Sequence, residues 1–427
     1  MRIGMAKADI TPRWSVWQDG FAARERPAQG LDHPVEAVAI VFDNGDARLG
    51  LLSVDICAVD DYLLLPVRQA AAELGIPPAA MMVNTTHDHS GPNASRIRGF
   101  IRQFDDRYLE ELREALVGVL QQAVEQLEEA SLRYSVGSCT MGVSRRRHVE
   151  GAEARSAPAP DKPIDTDVPI LSVLSPTGER RGLIFGYGCH PSTIATYNIG
   201  TDYPGYARDY VQSRLLGCQP VFLQGCGGDV KPRHVTPELG FASGPIQDVI
   251  EFGHELGRAV MTGLCRRSVP LGDELAAVSE VIHIPFDHQP TESEIAEAEA
   301  ASHWLPRAWA ARVRETVARE GKLIEALPVE IQVLNIGGLR LIGLAVEACS
   351  GIGLRLKRDL ADLPVWSMGY CNGGWDYLAP AAEYADGGYE ITRSHMDSVY
   401  PFAKPLGLAI EAEDIVAAKV AELARKV

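Results

Sequence analysis

Three apolar runs in this sequence end alike, each passing within a few residues into a histidine or a glutamate and then a glycine or proline turn. Ala80-Met81-Met82-Val83 leads into Thr86-His87-Asp88-His89-Ser90-Gly91-Pro92. The run 182–188 leads into Cys189-His190-Pro191-Ser192-Thr193, and the run 339–346 continues into Glu347-Ala348-Cys349-Ser350-Gly351. Short apolar runs bounded by turn signals read as buried strands, and α/β proteins build their sites at strand ends. Two imidazoles and a carboxylate at three strand ends therefore favour a fold that brings those ends together, since a zinc site draws three or four ligands from separate elements. His87 and His89 lie on one side of extended backbone but on nearly opposite sides of a helix, so a shared pocket favours extended backbone there. The competing reading is a loop whose histidines bond backbone carbonyls.

Between these runs, strand and helix signals alternate. Residues 6–12 read as a short strand entering a proline turn, and 36–43 and 48–55 as strands joined by the hairpin signal Asn44-Gly45-Asp46. Asp55 closes its strand as a site residue, a helix cap or a turn residue. Helical periodicity covers 62–74, with Gly75 as stop, and 104–129, where Leu109, Leu112, Leu116, Leu120 and Val124 recur every three to four residues. The strand 132–142 runs into Ser144-Arg145-Arg146-Arg147-His148, three arginines that are either solvated or, after a strand in an acidic protein, placed so that one meets an anionic substrate group. The Ala-, Pro- and charge-rich stretch 150–163 reads as a loop or lid. Strands follow at 168–174, 182–188 and 220–224, with a helix at 206–216 before which Asp202 either orients a ligand histidine or begins a turn. Gly225-Cys226-Gly227-Gly228-Asp229-Val230-Lys231-Pro232 lets backbone approach a ligand but lacks the spacing of a nucleotide P-loop. Helices are expected at 246–265, 292–319 and 409–426, and strands at 275–285, 329–336 and 365–370. The aromatic, glycine-rich segment 369–390 reads as a pocket wall.

Composition narrows the partners. With 46% hydrophobic and 23% charged residues the chain is ordinary globular protein, and a net charge of −16 gives no basic field to recruit nucleic acid or an anionic membrane. No apolar run approaches the ~20 residues that span a bilayer, so no membrane insertion is expected, and the start of the chain shows no secretory signal. Eight cysteines are scattered without a CxxC pair and read as reduced, mostly buried thiols, which makes the cytoplasm the default. The expected partner is a small-molecule substrate, with a homo-oligomer left open.

Several ordered motifs resemble the catalytic domain of the neutral/alkaline, non-lysosomal ceramidases: Ala6-Lys7-Ala8-Asp9-Ile10-Thr11-Pro12 at the start, the 86–92 stretch where the family has THTHSGP, His190-Pro191, Asp202-Tyr203-Pro204-Gly205-Tyr206-Ala207, Gly228-Asp229-Val230 with Pro232, and Tyr377 with Tyr389-Glu390. The resemblance implies residues 1–427 as one large α/β domain, with mixed sheets packed together and flanked by helices, and no C-terminal immunoglobulin-like domain. It places zinc ligands on His87, His190, Glu347 and Tyr377, leaves Asp88 without a ligand role, and sets His89 beside the metal as acid/base. Tyr389 matches a second pocket tyrosine, Arg145 the pocket arginine with Arg146 next to it, and Asp229 and Lys231 lie in the amidase loop.

One departure limits what the resemblance implies. The family's loop reads GDVSPN with serine as the proposed nucleophile, and here Lys231 stands at that serine. An acyl-lysine amide would be too stable to turn over, so serine-type ceramide hydrolysis is not expected. The expectation is a zinc-dependent hydrolase in which metal-activated water, with His89 as acid/base, attacks an amide- or ester-type bond of a small polar, anionic substrate. Lys231 and Arg145 would hold the anion or stabilise the developing oxyanion. The alternatives are a zinc-dependent lyase or isomerase on a sugar- or hydroxy-acid-like compound, with His89 or Lys231 moving a proton, and a closed metal-binding protein without catalysis.

Overall fold

Asn44 closes the first hairpin: its Oδ1 accepts the backbone N–H groups of Asp46 and Ala47 at 3.0 and 2.8 Å, and Gly45 takes the left-handed φ of +94° that the tight turn needs. Strands Glu36–Asp43 and Arg48–Val54 pair antiparallel from this turn, with Asp43 opposite Arg48. Arg2–Asp9 joins the first of them antiparallel, and Met81–Thr85 joins the second in parallel after a crossover through helix Asp61–Glu73. Helix Asp106–Glu125 buries Leu109, Leu112, Leu116 and Leu120, each worth roughly 1.5–3 kcal/mol on leaving water. The computed structural model describes residues 1–96, 103–236, 238, 240–242, 244–374, 376–396 and 403–427.

A second sheet runs Gln219–Gln224, Arg180–Tyr187, Asp167–Leu174, Ser131–Ser138, with the first pair parallel and the others antiparallel. A third runs Leu275–Pro285, Ala326–Ile336, Leu339–Leu344, Val365–Met368, closed by a parallel pair. The three meet at Asn84. Its Nδ2 donates to Gln224 O at 3.3 Å and to Gly369 O at 3.0 Å, while its Oδ1 accepts from the Gln224 N–H at 2.8 Å. One carboxamide thus ties together the C-terminal ends of parallel strands from all three sheets. The molecule is an α/β fold of mixed sheets flanked by helices, as the sequence leads one to expect.

Four local expectations are corrected. Residues 150–163 are not a lid: Ala152–Ala159 pairs antiparallel with Gly142–Val149, and Pro158 is tolerated because this is the edge strand of a three-stranded sheet. The arginine triplet therefore lies within a strand, not after one. The helix expected at 292–319 is two helices, Glu292–Ala300 and Trp304–Glu320, because Pro306 cannot donate to the preceding turn and Arg307 instead bonds Ala301 O and Ser302 O at 2.7 and 2.8 Å. Asp55 is neither cap nor site residue, since it grips Arg208 with both oxygens, at 2.9 and 2.5 Å, inside the core. Helix Ser350–Asp359, directly after Glu347, has no counterpart in the sequence reading. Asp202 begins helix Tyr203–Arg214 by capping the Tyr203 N–H, and also binds Thr193, which settles its role as structural. Among the described residues no helix is long and apolar enough to cross a membrane.

Candidate metal centre and active site

His87 follows strand Met81–Thr85, but in left-handed backbone with φ +59°, not in the extended conformation expected from its spacing to His89. The turn still brings the two rings together, with their Nε2 atoms 3.2 Å apart. His87 stacks on Tyr370 at 4.2 Å and its Nδ1 meets Cys57 O at 2.8 Å. His190, after strand Arg180–Tyr187, repeats the arrangement with its Nδ1 2.8 Å from Gly227 O. A carbonyl only accepts, so both rings carry their proton on Nδ1 and present an Nε2 lone pair. The lone pairs face one carboxylate oxygen: Glu347 Oε2 lies 3.2 Å from His87 Nε2 and 3.4 Å from His190 Nε2. Tyr377 adds its phenol oxygen 3.3 Å from His190 Nε2. It is delivered by a two-residue parallel bridge in which Glu347 stands opposite Tyr377. Asp376 braces that bridge. Its O accepts from the Glu347 N–H, its Oδ1 from the Tyr377 N–H, and its Oδ2 pairs with the buried Lys404 at 3.1 Å.

Two lone pairs aimed at a carboxylate require one positive charge. Burial opposes that charge on either ring. At His87 the Cys57 sulfur and the Glu347 carboxylate outweigh burial and raise the ring to about 10, whereas at His190 burial and the Arg145 guanidinium hold it at about 4. Glu347 stays well below the usual carboxylate range because the two imidazoles outweigh its burial. A divalent cation would supply the same charge to all three groups together, and two neutral imidazole nitrogens, a carboxylate and a phenol oxygen fit zinc chemistry. The ligand atoms of His87, His190 and Glu347 all lie within 4.8 Å of one another.

Beside this cluster opens a cavity of about 520 Å³, lined by His89, Arg145, Lys231, Tyr377 and Tyr389 among the residues anticipated from the sequence. Arg145 sits over Tyr377 and Tyr389, donating to Tyr377 Oη at 3.1 Å and to Glu390 Oε1 at 2.7 Å. Arg146 and Asp229, anticipated as substrate-binding, do not line it. Arg146 is 1% exposed and spends its guanidinium on Glu390, Glu383 and the Gly387 carbonyl, so that it holds the 383–390 turn. Asp229 accepts the Ser350 N–H at 2.6 Å and so secures the start of helix Ser350–Asp359. Trp375, in the aromatic segment, lies outside the described residues.

The cavity also contains residues that the sequence reading passed over. Gly20 and Phe21 come from an N-terminal loop that carried no recognised signal, and Phe21 stands edge-on to His89 at 5.1 Å. Arg24 donates to His89 O at 2.8 Å and to Asp19 O at 2.6 Å. Glu153, Arg155 and Ser156 come from the edge strand misread as a lid, where the alternating Glu-Ala-Arg-Ser was the available signal; Ser192 and Arg393 complete the wall.

No protein-family model matches the sequence. Among solved structures the chain is similar to the neutral ceramidase from Pseudomonas aeruginosa, with 19% identity and a TM-score of 0.77 over 99% of this chain and 74% of that one. It is equally similar to a ceramidase complexed with C2, at 18% identity, a TM-score of 0.77 and the same coverage. The chain has the neutral ceramidase fold. At this identity the likeness extends to the fold alone, and the chemistry rests on the residues described above.

Proposed function

We propose that the protein is a zinc-dependent hydrolase of an amide- or ester-type bond in a small, polar, anionic substrate. The observation that carries this reading is the convergence of His87 Nε2, His190 Nε2 and Glu347 Oε2, with Tyr377 beside them, at a cavity that also holds His89, Arg145 and Lys231. His87, His190, Glu347 and Tyr377 would hold the ion, which when bound supplies Lewis acidity toward a carbonyl and toward water. His89 takes the proton of the attacking water and returns it to the leaving atom, a role that suits a ring held between Phe21 and the Arg24-bound backbone. Tyr389 closes the pocket against Tyr377, and Arg145, anchored by Glu390, stabilises negative charge developing on the carbonyl oxygen. Lys231 contributes positive charge at the cavity wall.

The lining supports a polar substrate over ceramide. Among the described residues its charged members are Arg145, Glu153, Arg155, Lys231 and Arg393, and none of its lining residues is a leucine, isoleucine, valine or methionine that could receive an acyl chain. One observation favours a second reading, a lyase or isomerase: burial and Arg145 bring Lys231 down to about 8, within reach of proton transfer near neutral pH. Seven of the eight free cysteines are buried, in keeping with a cytoplasmic protein.

The test is metal analysis followed by turnover of amides, lactones and sugar-derived acids. One equivalent of zinc is expected, with hydrolysis of an anionic member lost on chelation and lost in His89→Ala while zinc stays bound. Fatty-acid release from ceramide at a comparable rate, or metal-free protein with full activity, would sink the proposal.

A further inference from the structure

Two polar side chains on the cavity wall have no hydrogen-bond partner among the described residues. Ser192 is 3% exposed and its Oγ bonds nothing, although its backbone N–H reaches His190 O at 2.9 Å and the adjacent Thr193 hydroxyl is spent on Asp202 at 2.7 Å. Lys231, also on this wall, lies 4.9 Å from the Phe241 ring and has no ion-pair partner among the described residues. Buried polar groups in folded proteins are nearly always satisfied, so the idle Ser192 hydroxyl, with the Lys231 ammonium on the same wall, points to a missing acceptor.

The charges around Lys231 define that acceptor. Arg145 is answered by Glu390, and Arg393 at the rim by Glu153. Asp202, the carboxylate whose field reaches Lys231, accepts from Thr193 and the Tyr203 N–H and makes no ion pair with the amine among the described residues. Arg155 lies exposed at the rim, and no carboxylate is in ion-pair contact with Lys231 among the described residues.

We propose that Lys231 and Ser192 form a subsite for a substrate carboxylate, so that the substrate is an amide or ester that also carries one free carboxylate. This rests on the hydrolase reading above and names its substrate class. A carboxylate pairs with the ammonium and accepts from the hydroxyl at once. A phosphate dianion would bring a second negative charge to a wall that offers one ammonium and one hydroxyl. The subsite also accounts for lysine at position 231: burial and Arg145 hold the unliganded amine near 8, and a carboxylate beside it restores full protonation.

Reductive methylation of Lys231, followed by peptide mass spectrometry at constant ionic strength, tests this without knowledge of the natural substrate. Propionate is expected to slow Lys231 labelling about tenfold relative to chloride, equivalent to ~1.4 kcal/mol, while the surface residue Lys322 is unaffected. Ser192→Ala should need about tenfold more propionate for the same protection, and calorimetry should find no propionate binding to Lys231→Met. Inorganic phosphate protecting as well as propionate, or propionate no better than chloride, overturns the subsite. The measurement is repeated on chelator-treated protein and on His87→Ala. Protection that persists where zinc is absent keeps the subsite even if the hydrolase reading fails, and zinc-dependent turnover without protection removes the subsite alone.

Discussion

His87 and His190 each spend Nδ1 on a backbone carbonyl, Glu347 is fixed by its bridge to Tyr377, and Asp376 with Lys404 fixes the bridge. On the wall of the adjoining cavity, the side chains of Lys231 and Ser192 have no hydrogen-bond or ion-pair partner among the described residues. The two regions face the same space yet are built by different rules. The cluster is oriented before any ligand arrives, and its groups are positioned by hydrogen bonds from a second layer. The wall keeps a desolvated amine that the folded protein alone does not satisfy, which costs stability and makes sense only where a ligand offsets that cost. Removing a group from the cluster should therefore damage the molecule, and removing Lys231 should relieve it.

The largest expected effect is loss of metal. His87→Ala or Glu347→Ala should weaken zinc by a hundredfold or more, since even disturbing an outer partner of a ligand costs about 10–100-fold; full occupancy in both variants under chelator competition would break the comparison at its first term. Next, Arg146→Met leaves the Glu390 carboxylate buried with one partner fewer and should cost about 3–5 kcal/mol in denaturant unfolding, whereas Arg155→Met, at the exposed rim, should not shift the midpoint measurably. Gly20→Ala comes third. Its Cβ would meet His89 Cγ at 2.3 Å, from a backbone φ of +86°, so His89 must shift and turnover should fall roughly 100-fold with zinc content unchanged. Unchanged turnover would show that His89 is not the proton carrier.

The smallest effect has the opposite sign. The Lys231 amine has a lower pKa folded than unfolded, so the unfolded chain binds more protons between about 8 and the ordinary lysine value, and this group's contribution to stability rises with pH through that window. Below it, Lys231→Met should be more stable to denaturant unfolding than the parent protein by roughly 1–3 kcal/mol, at ~1.4 kcal/mol per pKa unit, with the gap closing as pH rises. A less stable variant would mean that Lys231 is satisfied in the folded protein after all.

The strands at 36–43, 275–285 and 182–188 were legible because apolar runs between turn residues have few other fates, and the leucine period at 106–125 left no alternative to a helix. The two imidazoles and the carboxylate were legible for the same reason, each standing where an apolar run stops. What escaped was long-range. Nothing local distinguishes Arg145 from Arg146, since both are buried in one irregular strand, and only the course of the 383–390 turn decides which faces the cavity. The polar edge strand 152–159 looked like a loop because its partner, not its own residues, makes it a strand. Gly20 and Ser192 acquire meaning only through what packs against them.

The carboxamide of Asn84 has a consequence for how such a protein can diversify. Because three sheets share it, the geometry of the metal cluster belongs to the whole core, and drift at the histidine-bearing turns is paid for in the stability of every layer. The 142–159 hairpin forms two strands of a separate three-stranded sheet and contributes Arg145, Glu153, Arg155 and Ser156 to the cavity without carrying any of the cluster. Exchanges in its edge strand, at Glu153, Arg155 and Ser156, can rewrite which acid, sugar or amide is accepted while the reactive centre stays still, so divergence in this lineage should concentrate in that strand and leave the junction unchanged.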